Sequence, residues 1–183
     1  MAHPGKKLLF MGSEFGQWNE WHYEQSLDWH LLENKPNRDL QTFFKAANTF
    51  YLDHRELWEL DFSWEGFQWV CADDNANNCA AFLRRDKAGS TLLVVCNFSP
   101  VHLPNYRLGA PTPGDYQCIF NADDTLYGGG GLGDRGTITT EEEPCHGFDQ
   151  SLVIDLPPMS GVIYRSAEER RPPPRKVLKS QAL

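Results

Sequence analysis

Lys7–Trp21 reads KLLFMGSEFGQWNEW, and the fold turns on how this stretch is taken. The run KLLFM is apolar without alternation, as in a strand covered on both faces inside a parallel sheet. The ten residues that follow hold two carboxylates, two amides, two tryptophans and two glycines. Folding alone does not call for so much polar and aromatic chemistry. In parallel α/β sheets and barrels, reactive and ligand-binding side chains stand on the loops at the C-terminal ends of strands. The expectation is therefore a buried strand at Lys7–Met11 followed by a binding loop.

The loop extends to about residue 38, with a helical turn expected at Asp28–Glu33, and loops this long are uncommon unless functional. A helix is expected over Asp39–Arg55. Its apolar positions Leu40, Phe43, Phe44, Ala47, Phe50 and Tyr51 fit helical spacing, and Asn37 or Asp39 is the candidate N-cap. A strand, a loop and a helix make one βα unit, which alone cannot cover both faces of its strand.

Beyond Asp61 the pattern changes. Short runs rich in aromatic and β-branched residues recur at Phe67–Ala72, Cys79–Arg85, Thr91–Asn97, Tyr106–Leu108, Tyr116–Asn121, Ser151–Leu156 and Gly161–Arg165. Turn signals such as DDNANN, DKAG, PTPGD and PPMS separate them. That spacing predicts an antiparallel β-sandwich. The fold class is thus mainly β, an antiparallel sandwich preceded by one βα unit. Residues 1–60 form that unit, 61–165 the β-domain and 166–183 a charged, proline-rich tail expected to be disordered.

Composition narrows the partners. The formal net charge of −8 over 183 residues disfavours nucleic acid, anionic lipid and acidic sugars, and leaves neutral ligands open. No stretch approaches the roughly 20 apolar residues of a membrane span, and the four-residue apolar run near the N-terminus is too short for a signal peptide. Five cysteines, without a CxxC pair, read as reduced core residues of a cytoplasmic protein. Neither they nor the scattered histidines have metal-ligand spacing, so no metal and no cofactor are expected. The run GGGGLGDRG lacks the phosphate-loop pattern and reads as a flexible connection, and the acidic EEE at 141–143 as solvated surface.

The candidate substrate-binding residues are Glu14, Gln17, Trp18, Glu20 and Trp21. Carboxylates and an amide bind hydroxyl groups, and flat indole faces suit the C–H faces of pyranose rings. Together they point to a neutral carbohydrate. For each there is a structural alternative: Trp18, Trp21 and Trp29 could staple the loop in place, and Glu14 could make an internal hydrogen bond. Asp28 could cap the next helical turn or face the cleft. Trp64 and Trp69 are the stacking candidates of the β-domain, although the alternation in FQWV favours the core for Trp69. Glycoside chemistry needs two carboxyl groups flanking the scissile bond. Glu14, Glu20, Glu24 and Asp28 all lie on one loop, which makes it one wall of a site rather than a whole site.

These residues carry a resemblance. AHPGKKLLFMGSEFGQWNEW and SLDWHLLE resemble the last barrel strand and following loop of bacterial glycogen (1,4-α-glucan) branching enzymes, of the α-amylase superfamily. The likeness continues through HRELWELDFSWEGFQWV, TLLVVCNFSPV, YRLGAPTPGDYQCIFNADDTLYGGGG and SLVIDLPPMSGVIY, over roughly residues 1–165. It implies a (β/α)₈ (TIM) barrel followed by an antiparallel β-domain, and a retaining transglycosylase of glycogen biosynthesis. Such an enzyme cleaves an α-1,4 bond of a glucan such as amylose or glycogen and transfers the chain to a 6-hydroxyl, with no metal in the chemical steps. Gly12, Glu14, Phe15, Gln17, Glu20 and Trp21 match the family's loop after strand eight. The family's catalytic carboxylates lie on strands four, five and seven and have no counterpart here. The resemblance therefore implies no catalytic residue in this chain, a dependence on the missing barrel portion, and inactivity of the piece by itself. The alternative is a non-catalytic module that binds α-glucan or serves only as structure.

Overall fold

A computed structural model describes residues 1–134 and 136–168 of the chain. All seven runs read from the sequence become strands. They are β1 (Phe67–Asp74), β2 (Cys79–Arg85), β3 (Thr91–Asn97), β4 (Leu103–Ala110), β5 (Asp115–Asn121), β7 (Gln150–Leu156) and β8 (Ser160–Ser166). An eighth, the three-residue β6 (Thr137–Thr139), lies inside the glycine-rich insertion, where no strand was expected. The strands build a six-stranded sheet in the order β1-β2-β3-β8-β5-β6 and a two-stranded sheet, β4-β7, with every pairing antiparallel.

The two sheets close on one core. Ala81, Leu83, Leu93, Val95, Val162 and Tyr164 of the large sheet meet Leu108, Leu152, Ile154 and Leu156 of the small one. Each fully buried aliphatic side chain contributes about 1.5–3 kcal/mol relative to exposure. The opposite face of the large sheet is covered as well. Phe82, Leu92, Val94 and Ile163 pack with Leu57, Phe50, Tyr51 and Trp58. Burial on both faces explains why β3 reads as the unbroken apolar run LLVVC rather than alternating.

Phe50 and Tyr51 belong to the single α-helix among the described residues, α1 (Lys35–Asp53), which starts four residues before the expected Asp39. Pro36 sits in its first turn, where the fixed φ suits the helix and the missing N–H is no loss. Neither Asn37 nor Asp39 is the cap. Both lie inside the helix, and Arg38 turns back to the carbonyls of Leu32 and Glu33 at 3.0 and 2.6 Å. The helical turn expected at Asp28–Glu33 is present as a 3₁₀ turn, Trp29–Glu33.

The stretch Lys7–Met11 departs from expectation. It forms no strand, and Leu8 is 85% exposed, with Leu9, Phe10 and Met11 also open to solvent. A parallel strand needs neighbours for its hydrogen bonds, and none of the described strands pairs with it. The preceding residues are nevertheless tied down: the Gly5 N–H donates to Asp61 Oδ2 at 3.0 Å, and Arg84 donates to the carbonyl of Ala2. The expectation of a disordered tail falls, from residue 169 onward, outside the described residues. No helix among those described is long and apolar enough to cross a membrane.

Candidate functional site

The loop after Met11 begins with a left-handed turn at Gly12, φ +88°, a region that costs little only without a Cβ. Ser13–Phe15 then makes one 3₁₀ turn and Gly16, φ +65°, ends it. Phe15 is fully buried, with its ring 5.1 Å from that of Trp29. A second anchor comes from the helix. Asn37, itself buried, donates from Nδ2 to the carbonyls of Phe15 at 2.8 Å and Gly16 at 3.3 Å.

Gln17 closes the neck of the following excursion. Its Oε1 accepts the Asp28 N–H at 3.0 Å and its Nε2 donates to the Asn19 carbonyl at 3.1 Å. Asn19 in turn donates to Asp28 Oδ2 at 2.9 Å. Asp28 precedes the second 3₁₀ turn but makes no side-chain cap there, so its carboxylate serves the loop neck.

The other candidates stand on this frame. Glu14 is half-buried and Glu20 exposed, and neither has a side-chain hydrogen-bond partner among the described residues. Trp18 is 73% exposed. Trp21 rests edge-on against Phe10, with ring centres 5.6 Å apart, and is partly open. Trp29 keeps half its surface exposed while packing on Phe15. The chain therefore presents two carboxylates free to accept hydroxyl hydrogens and indole faces within the same loop. Among the described residues no three His, Cys, Asp or Glu side chains converge as metal ligands.

Outside the loop, Trp69 lies on the outer side of β1, half exposed against Phe67 and Phe82, while Val70 and Cys71 turn inward. The sequence favoured the core for Trp69, but a bulge follows it in the β1–β2 pairing and sends the next two residues inward together. Trp64 is 85% exposed. The glycine run is organised rather than loose. The Asp123 carboxylate accepts the N–H groups of Gly130 at 3.0 Å and Leu132 at 2.9 Å, and its carbonyl accepts that of Gly131 at 2.8 Å. Those amides already hold a carboxylate, which removes the resemblance to a phosphate cradle. Part of the acidic run is also engaged: Arg107 pairs with Glu141 at 2.8 Å and Glu143 at 3.2 Å.

Residues 69–167 match the family described as Alpha amylase, C-terminal all-beta domain. Among curated proteins, the chain is 49% identical over 168 residues to the 1,4-alpha-glucan branching enzyme GlgB of Aquifex aeolicus, covering 91% of this chain and 26% of that protein. It is 47% identical over 159 residues to the GlgB of Aromatoleum aromaticum, covering 87% and 25%. It is 44% identical over 170 residues to that of Prochlorococcus marinus, covering 92% and 22%. The chain thus spans about a quarter of the length of the curated relatives it matches.

Proposed function

Because the chain belongs to the family of alpha amylase C-terminal all-beta domains, we propose that it works as the C-terminal part of a 1,4-α-glucan branching enzyme. In that reading residues 1–60 are the last βα unit of a (β/α)₈ barrel, and residues 61–165 brace it. Glu14, Gln17, Trp18, Glu20 and Trp21 belong to one wall of the α-glucan cleft. The other barrel strands supply the nucleophile and the acid/base carboxyl groups. They cleave an α-1,4 bond with retention through a glycosyl-enzyme and pass the chain to a 6-hydroxyl. By itself this chain does not branch glucan. The enzyme acts in the cytoplasm, on glycogen or amylose.

The observation that carries this reading is identity of 42–49% with branching enzymes, over about nine-tenths of this chain. The exposed apolar residues Leu8–Met11 support it, since a barrel would cover them on both sides. The experiment is a chimera. The Aquifex aeolicus enzyme is given this chain in place of its own equivalent segment and incubated with amylose, and the α-1,6 branches are counted after debranching. The chimera is expected to branch amylose, and the separate 183-residue chain to leave it linear. A chimera that folds cooperatively but leaves amylose linear would overturn the proposal.

A further inference from the structure

The hydrogen bonds of the loop divide its residues into two groups. Resting on the glucan-cleft reading above, we infer that Asn37 and Gln17 are positioning residues: they hold the wall in shape, while Glu14, Trp18, Glu20 and Trp21 face the sugar. Both ends of the Gln17 amide are occupied within the chain, by the Asp28 N–H and the Asn19 carbonyl. The bond to the Asp28 N–H joins the two ends of the excursion that bears Trp18, Glu20 and Trp21, the bond to Asn19 fixes the near side, and Asn19–Asp28 adds a second link across the neck. A sugar hydroxyl seeking this amide would compete with bonds already made.

Asn37 does the same one turn earlier in the loop. It sits on α1, outside the loop, and its one amide group donates to two successive carbonyls, those of Phe15 and Gly16. Only a donor serves there, since a carboxylate would face two carbonyl oxygens. The glycines fit the same arrangement. A Cβ on Gly12 would stand 2.9 Å from both Cβ and Oε1 of Gln17, and one on Gly16 3.0 Å from Leu40 on α1. The wall is thus registered to the helix through Asn37 and to itself through Gln17, leaving the free carboxylates and indoles to meet ligand.

The test has two arms. In the full 183-residue chain without sugar, amide hydrogen exchange is measured for Gln17→Glu and Asn37→Asp, each nearly isosteric. Gln17→Glu keeps an oxygen for the Asp28 N–H but loses the donor to the Asn19 carbonyl, and exchange over residues 12–29 in both variants is expected to quicken at least about tenfold, with β2 and β3 unchanged. In the branching chimera the same changes are expected to lower kcat roughly ten- to a hundredfold, as displacement of a positioned wall does. The double variant falls no further than the worse single one, because both release the same loop. Unaltered exchange over residues 12–29, a rise in KM alone, or additive losses would overturn the positioning role. If the unmutated chimera folds and does not branch, the proposed function fails, and the exchange arm still decides whether these two residues fix the loop.

Discussion

Arg84 Nη2 and Asp61 Oδ1 stand 2.7 Å apart, both sealed from solvent, and the pair rivets β2 to the segments that precede β1. Arg84 also donates to the carbonyls of Leu57, Gly66 and Ala2, and the second Asp61 oxygen accepts the Gly5 N–H. Three separate stretches of the first 66 residues thus converge on one guanidinium. A buried charge is tolerated only when paired and hydrogen-bonded in this way.

Removing one partner leaves the other charge stranded. Arg84→Ala is expected to cost about 3–5 kcal/mol of unfolding free energy, the usual cost of breaking a buried pair. Urea unfolding followed by tryptophan fluorescence measures it. A loss under about 1 kcal/mol, the range of an exposed pair, would show that the rivet is not needed.

His54 gives a pH dependence. Its ring stands edge-on to Phe50 at 3.8 Å, and neither ring nitrogen has a hydrogen-bond partner among the described residues. Burial, and then the charge of Arg165, push its pKa down to about 4. The unfolded chain takes up this proton near pH 6.5 and the folded one only near 4, so the contribution to stability is complete above 6.5 and is lost as pH falls between them. Allowing for partial exposure, the loss is about 1–2 kcal/mol. His54→Leu should flatten the urea midpoint between pH 7 and pH 4 by that amount, and an unchanged slope would refute it.

Asp74 works at lower pH. Burial raises its pKa, but the bonds from Asn77 and Tyr106 outweigh burial and hold the carboxyl below its ordinary value. The Tyr106 hydroxyl donates to Asp74 Oδ2 at 2.9 Å, joining β4 to the end of β1. Its contribution is therefore present above the usual carboxylate pKa and lost as pH falls through the lowered one. Tyr106→Phe should cost about 1 kcal/mol at pH 7 and nothing further once Asp74 is protonated. Carboxyl titration by NMR should show the Asp74 pKa rising in the variant.

Asp123 organises the glycine loop through three backbone N–H groups. Asp123→Ala should free residues 128–134 to proteolysis while the melting temperature of the β-domain changes by only a few degrees, about 1 kcal/mol in free energy. Limited elastase digestion checks this, and an unchanged digestion pattern would contradict it.

The β-domain was legible because its runs are bounded by strong turn signals and packed on at least one face. β6 was not, since three residues of an edge strand leave almost no pattern between glycines and acidic residues. Lys7–Met11 reads as a buried strand because its run is apolar without alternation, but none of the described strands pairs with it and its side chains stay exposed. In the loop, the density of polar and aromatic residues marked the place. It could not reveal which groups are already engaged. The Gln17 bond to Asp28 spans eleven residues, and the Asn37 bonds reach back more than twenty. Local sequence carries no sign of either. Asn37 could be read only as a cap candidate, because helix starts favour asparagine for an unrelated reason.

In the proposed function this chain is part of a branching enzyme. The measurement that tests it most directly is the amylose-branching activity left in an extract of the source cells after depletion with an antibody raised against this chain. Branching activity is expected to leave with the antibody, in a protein several times heavier than 20.9 kDa. Activity that stays in the extract while a 20.9 kDa band is removed would contradict it.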